Sequence, residues 1–568
     1  MGFNNSAGRG RSIQAVNLAN LLAERGDLSP KQLAYRFLAS DREEHVVTYE
    51  QLAHEVEILA DCIRRCVSPG QRVLLVYPAG LDFVRAFYAC ALANVVAVPL
   101  PVPRVNEPID RLTHVLEDCD PSAIFTVARL QKEITQHLPE RYRESIAATD
   151  AAFELSPLRG AAQADSDIIL LQYTSGSTTR PKGVVVRHAN LIANLQQIER
   201  RFEHGPESAG VIWLPHYHDM GLVGGILQPM FTGFPVTLLP PLAFVQKPLR
   251  WLRAIHKYRA TTSGGPNFAY ELCVSKAAQL EDHVDLSCWS VAFNGAEQVR
   301  SKTLNAFSEA FAKFGFKRCS FVPCYGLAEA TLIVAAVPPG RMPMIRDWPI
   351  PSHANAGKAS HDGNALVSCG PPVAGTNVQI LREVSRESCD EGEIGEIVVG
   401  GPAVATGYWQ KSDSAFQSQP MPTFSTGDLG FKIGEEIFVT GRIRDLIVIR
   451  GRNHFPEDIE AAMQAAQPLL ACEAAVAFVA GDCDKEQLVL LQEISSRSLR
   501  SIDLHALRED VLRTVALSHG IHVSDFLVLR SGSLVRTSSG KISRSACRQY
   551  YLDDKFRSLL HNEPALED

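Results

Sequence analysis

The stretch LLQYTSGSTTRPKGVVV, Leu170 to Val186, decides how the rest of the chain is read. One apolar, strand-like run ends at Tyr173 and another begins at Gly183. Between them lie Thr174, Ser175, Gly176, Ser177, Thr178, Thr179, Arg180, Pro181 and Lys182. Flexible linkers share this composition, but linkers are seldom set between two runs of β-branched and leucine residues. Exposed backbone N–H groups, hydroxyls and a lysine beside a rigid proline make an anion cradle, with phosphate as the natural guest. The order GxxxxGK[ST] is absent, so this is not the usual P-loop, and a solvated turn stays open as the plainer reading.

On its N-terminal side, TYEQLAHEVEILADCIRRCV places Leu52, Val56, Leu59 and Ile63 on one helical face, with Thr48 as N-cap. The strand QRVLLVYPAG, the helix LDFVRAFYACALAN and the strand VVAVPL follow. That alternation continues through SAIFTV, DIILLQY, VIWLP, PVTLLP and SVAFNG, which implies mainly parallel sheet covered by helices. Ligands of such sheets bind at the carboxyl ends of strands, where the hydroxyl-rich loop lies.

From about residue 366 the pattern turns to short alternating strands, as in a β-rich subdomain extending to 443. After TGRIRDLIVIRGRNHFP a new unit of two helices and three strands begins, so a boundary is set at Arg444. The expected organisation is α/β: a large domain over 1–443 and a small, mobile α+β domain over 444–568. The proline-rich run over 337–365 has no periodicity and reads as an insertion.

A chain of 568 residues, 46% hydrophobic, is too long for one core. Its net charge of −7, with no long single-sign block, argues against a nucleic-acid partner. The thirteen cysteines contain no CxxC pair that could form half of a zinc site, and fit a reducing cytoplasm. The most apolar region, around GGILQPMFTGFPVTLLPPLAFV, is broken by Gln228, Gly233 and prolines, so no transmembrane segment is expected.

Four further motifs carry chemistry. CYGLAEAT sets Tyr325 and Glu329 at a strand-to-helix junction, where a ring could stack on a base and a carboxylate could hold a metal; a helix start is the alternative. In FSTGDLGF, Asp428 could accept two sugar hydroxyls or be a turn aspartate. VRTSSGKISR carries Lys541, which on its own reads as a solvated lysine. In WLPHYHDMGLVGGILQPM, His218 and Asp219 are either a site pair or a structural hydrogen bond. Gly221, Gly224 and Gly225 there either open space for an alkyl chain or permit close packing.

Taken in order, YTSGSTTRPKGV, FNGAE, YGLAEAT, TGD, GRIRDLIVIRGRN and TSSGKISR resemble the adenylate-forming superfamily over nearly the whole chain. WLPHYHDMGLVGGILQPM, RGRNHFPEDIE, Thr179 and the insertion are most similar to fatty acyl-AMP ligases. The resemblance implies ATP and Mg²⁺, with the loop from Thr174 through Ser175, Gly176, Ser177 and Thr178 to Lys182 around the phosphates and Glu329 at the metal. It implies that Tyr325, Gly326 and the Asn294, Gly295, Ala296, Glu297 backbone surround adenine, while Asp428 and Arg442 take the ribose. Lys541 bridges carboxylate and phosphate oxygens, and with Glu329 and Thr174 forms the expected catalytic set. His218, Asp219, Gly221 and Gly225 border the acyl site, and Arg444 stands at the hinge, in place of the usual lysine or aspartate. Val535 replaces a proline common in the family.

The implied function is activation of a fatty acid to acyl-adenylate and pyrophosphate, followed by transfer to the phosphopantetheine thiol of a separate acyl carrier protein, in polyketide or lipopeptide synthesis. The scattered Arg508, Arg513, Arg544 and Arg548 offer contacts to an acidic carrier. The alternatives are a fatty acyl-CoA synthetase and, from another class, a catalytically inert ATP-binding scaffold.

Overall fold

The computed structural model describes residues 17–103, 110–151, 167–174, 181–347, 365–411, 413–417, 421–449, 452–470, 473–481, 487–496, 498–500, 502–537 and 540–559. The expected first helix spans Tyr49–Cys66. It starts where Thr48 and Gln51 exchange side-chain and backbone hydrogen bonds in a capping box, and it buries Leu52, Val56, Leu59 and Ile63. It packs against the helix Leu81–Leu92, which covers parallel strands whose sequences are apolar on both faces because both faces are buried.

The alternating region forms two parallel sheets, a division that strand–helix alternation does not reveal. One has six strands, in the order Ile146–Ala148, Ala123–Thr126, Arg72–Val76, Val96–Leu100, Ile168–Tyr173 and Gly183–Arg187. Only its last pairing is antiparallel, with Tyr173 opposite Gly183. The other has eight strands, running Ile333–Ala336, Phe321–Gly326, Val291–Asn294, Thr262–Gly265, Gly210–Ile212, Val236–Leu238, Leu33–Leu38 and Glu44–Thr48. Its inner pairings are parallel and the pairs at its two edges are antiparallel.

The β-rich segment is an antiparallel sheet of Asn377–Leu381, Gly395–Gly400, Thr423–Ile433, Glu436–Arg442 and the short Phe416–Gln417. After the single turn Ile443–Asp445 the chain builds separate cores. One gathers Ile447, Ile459, Leu490, Val511 and Val528, and another Val476, Leu529 and Cys547. The three-stranded sheet Ala475–Ala480, Gln487–Ile494, Asp525–Arg530 lies between them. Helix-covered parallel sheets followed by a smaller α+β unit thus match the expected fold class.

Of the insertion, Ile345–Asp347 and Ala365–Val367 pair with each other, and 348–364 lie outside the described residues. Every cysteine among the described residues is free. Among those residues no helix is long and apolar enough to cross a membrane, and no three His, Cys, Asp or Glu side chains group as a metal site.

Candidate active site

The chemistry-bearing motifs meet at the carboxyl ends of the parallel strands, where helix N-termini and loop amides gather. Thr174 follows Ile168–Tyr173, and Asn294 and Gly326 end their strands. The segment Trp213–Asp219 follows Gly210–Ile212. The small C-terminal unit brings Lys541 to the same place. A cavity of about 1910 Å³ is lined by Thr174, Lys182, His218, Asp219, Glu297, Tyr325, Gly326, Glu329, Asp428, Arg442, Arg444 and Lys541.

On one side of it the backbone N–H of Thr174 donates to the Lys182 carbonyl at 3.1 Å, which brings these two residues together. Ser175, Gly176, Ser177, Thr178, Thr179 and Arg180 lie outside the described residues. Lys182 has partners that the motif did not announce. Its Nζ sits 2.8 Å from Asp413 Oδ2 and 4.5 Å from the centre of the Tyr408 ring. The Tyr408 hydroxyl in turn donates to Glu329 Oε1 at 2.7 Å. Burial pushes the Glu329 carboxyl above the usual range, and the Tyr408 hydrogen bond opposes this. Burial alone would raise Asp413 too, but Lys182 holds it below its ordinary value.

A second polar group lies beside it. Asp428 is buried, accepting from the Tyr325 hydroxyl at 2.6 Å and pairing with Arg442 Nε at 2.9 Å. Asp428 and Arg442 oppose each other on neighbouring strands of the β-rich sheet, so sheet register fixes the pair. Asp428 raises the Arg442 guanidinium further above its already high value. Tyr325 is almost wholly buried and its phenol is pushed well up by burial, so one edge of the ring is committed to Asp428.

FNGAE divides by position. The Asn294 side chain is buried without a hydrogen-bond partner, and Gly295 lies where a Cβ would approach the Cys324 carbonyl oxygen to 2.7 Å. Ala296 (φ 71°) and Glu297 line the cavity. Glu297 Oε1 accepts the Phe268 N–H at 2.7 Å, and burial raises its carboxyl. Lys541, half-buried, is exposed to the fields of Glu297 and Asp219; burial lowers its ammonium, and these two carboxylates act the other way.

Lys541 is carried on a turn whose ends are tied together. The Thr537 N–H donates to the Lys541 carbonyl at 2.7 Å and the Ser543 N–H to the Val535 carbonyl at 2.8 Å. Behind it the buried Glu493 accepts from the Leu534 N–H at 2.7 Å and pairs with Arg536 at 3.1 Å. Arg536 also reaches the Gly540 carbonyl.

The two histidines of PHYHDMG part company. His216 is buried 4.2 Å from the Phe83 ring centre, and burial pushes it down to about 3. His218 Nδ1 meets Asp219 Oδ1 at 2.8 Å at the cavity wall, and that oxygen also accepts the Met220 N–H. Burial acts upward on the Asp219 carboxyl, yet His218 and Lys541 leave it below its ordinary value.

MGLVGGIL then coils as a π-helix, Met220–Leu227. A Cβ at Gly221 would lie 2.1 Å from the Pro215 carbonyl oxygen, and one at Gly225 would lie 2.7 Å from Ile212 Cγ2. Both glycines therefore serve close packing rather than an open wall. Gly224 lines the cavity, with only Leu332 within reach at 3.2 Å.

A model of the family described as AMP-binding enzyme matches residues 22–409. The chain belongs to that family. This AMP-binding enzyme is 35% identical over 562 residues to the medium-chain-fatty-acid–[acyl-carrier-protein] ligase JamA of Moorena producens, covering 94% of this chain and 95% of JamA. It is also 35% identical to a 4-hydroxyphenylalkanoate adenylyltransferase of Mycobacterium marinum, covering 96% and 93%. Among solved structures it resembles the fatty acyl-adenylate ligase of Legionella pneumophila in complex with acyl adenylate and pyrophosphate. The TM-score is 0.70 at 34% identity, with 95% and 97% of the two chains covered. Within the adenylate-forming superfamily the enzyme stands with the fatty acyl-AMP ligases.

Sequence reading missed Tyr408 and Asp413. Tyr408 lies within the segment AVATGYWQ and Asp413 just after it, and their signal is spatial: they lie far along the chain from the glutamate and lysine they hold. The structure also corrects one surface reading. Arg544 is not a free contact for a carrier: it pairs with Asp445, Glu457 and Glu460. Arg548 donates to the Val479 carbonyl and Arg513 pairs with Asp510.

Proposed function

We propose that this enzyme joins a fatty acid to ATP as acyl-adenylate, releasing pyrophosphate, and passes the acyl group to the phosphopantetheine thiol of a carrier protein. The observation that carries this reading is the ammonium of Lys541, which feels the fields of Asp219 and Glu297 at the wall of a cavity that Thr174 and Lys182 also line. In the first step a carboxylate oxygen bonds to the α-phosphorus as the α–β phosphoanhydride bond breaks. Two anions must approach, so Lys182 and Lys541 offset their repulsion, and Asp428 with Arg442 holds the ribose. In the second step the thiol sulfur bonds to the acyl carbonyl carbon, AMP leaves and the thiol proton is released.

The residues present suit Mg²⁺, a hard cation that takes one or two carboxylates together with substrate phosphates. Glu329, with one oxygen held by Tyr408, is the carboxylate that would hold it, and when bound the ion neutralises phosphate charge. Thr174, Ser177 and Thr178 complete the phosphate loop; adenine is bordered by Tyr325, Gly326 and the 294–297 backbone. The turn at Ile443–Asp445, containing the exposed Arg444, is the hinge between a domain over 1–443 and one over 444–568.

The test supplies fatty acid, ATP and Mg²⁺, then either CoA or a holo carrier protein, and follows products by mass. Pyrophosphate with acylated carrier is expected. Abundant acyl-CoA would make the enzyme an acyl-CoA synthetase, and ATP binding with no turnover across chain lengths would make it a scaffold.

A further inference from the structure

The cavity does not end at the reacting groups. It continues between the helix His188–Phe202, the π-helical segment and the larger sheet, past Ile198, Ile212, Phe293 and Ile333. At its far end it reaches Gly210, Val236 and Thr262, the first residues of three adjacent parallel strands. The reacting groups lie at the opposite, carboxyl ends of those strands. An all-apolar end would suit a chain ending in a methyl group. This end instead carries His204, whose Nε2 lies 3.1 Å from Thr262 Oγ1 and whose Nδ1 is buried without a partner.

Phe202 and Phe234 hold the imidazole edge-on, with ring centres 5.5 Å and 5.0 Å away. Burial pushes His204 down to about 3, so it is neutral near pH 7. A neutral imidazole has one donor and one acceptor nitrogen, and a hydroxyl can serve either. A distal carboxylate would be buried without an opposing charge, and a methyl would leave a polar nitrogen unsatisfied.

We propose that His204 and Thr262 form a distal recognition subsite that selects carboxylic acids bearing a hydroxyl at the end remote from the carboxylate. This inference rests on the acyl-adenylate reading above. The subsite contributes through differential fit: a pocket built to hydrogen-bond a substrate hydroxyl rejects the analogue that lacks it.

The experiment measures pyrophosphate release from the full-length enzyme with matched pairs of acids of equal length, one ending in a methyl group and one in a hydroxyl. Alkanoic and phenylalkanoic pairs are both run across a range of lengths. At the length that reaches His204, kcat/KM is expected to favour the hydroxy acid by at least about tenfold. His204→Leu should bring that ratio to about one, Thr262→Val should lower it partway, and His204→Gln should keep part of it. If His204→Leu does not fold, as judged by its melting curve, the other two variants carry the comparison. Methyl-ended acids preferred at every length, or a ratio unchanged in the variants, overturns the distal subsite and leaves acyl-adenylate formation intact. Failure of every acid to release pyrophosphate overturns both.

Discussion

The proposed nucleotide half of the site and its proposed acyl half are built on opposite plans. Around the proposed phosphate and ribose sites, Lys182, Glu329 and Arg442 already have partners: Lys182 is held by Asp413, Glu329 by Tyr408, and Arg442, like Tyr325, by Asp428. Along the acyl half, shape is set by what is missing, with Gly221 and Gly225 drawn against neighbouring chain and Gly224 leaving the wall open. Charge needs pre-set partners because an ionised group moved out of water without one is costly, and dipoles fixed in advance need no reorganisation during reaction. The apolar stretch of the cavity needs no such partners, only the absence of atoms. Damage to the first half should therefore appear in rates, and damage to the second in folding or in the choice of acid.

The largest effect is expected from Lys541→Ala. Adenylation measured in single turnovers should fall by roughly 10²–10³, while the Kd for ATP changes far less, because the ammonium acts on charge that develops in the transition state. Equal losses in binding and rate would dissolve the contrast. Next is Gly221→Ala, where the added methyl meets backbone that cannot rotate away. A cost of about 1–3 kcal/mol is expected, read as a lowered Tm. Gly224→Ala should leave Tm near its starting value and shift preference toward shorter acids. Reversal of that order would mean that the two glycines have been assigned to the wrong faces.

Tyr408→Phe is expected to be milder, about tenfold in kcat/KM for ATP, since one hydrogen bond to a carboxylate is removed and the ring beneath Lys182 stays. The smallest effect concerns pH. Burial lowers Lys541 in the free enzyme, so its proton leaves below the ordinary lysine value and activity falls as pH rises through that point. Bound anions favour the ammonium, so the alkaline limb of kcat/KM should lie at lower pH than that of kcat. Coincident limbs would place Lys541 outside the reacting charge.

Legibility in the sequence followed the same divide. Thr48 with its helix, the strand sequence and the order of the polar motifs could be read because capping, periodicity and turn chemistry are local. The pairing of Asp428 with Tyr325, and of Lys182 with Asp413, joins residues distant along the chain, so only their types were visible, not their partners. The split into two parallel sheets was hidden because each strand–helix unit reads alike whichever sheet it joins. A π-helix at Met220–Leu227 and the polar end at His204 left no pattern, since both depend on what packs against them.

Glu493, deep in the small C-terminal unit, has a mechanical implication. It accepts from the Leu534 N–H and pairs with Arg536, anchoring the segment that leads toward Lys541. A segment anchored in this way would withdraw together with the body bearing it. Room for the incoming thiol would then be granted by rotation of a whole lobe, and the cadence of the two half-reactions would be that of the rotation rather than of a swinging side chain.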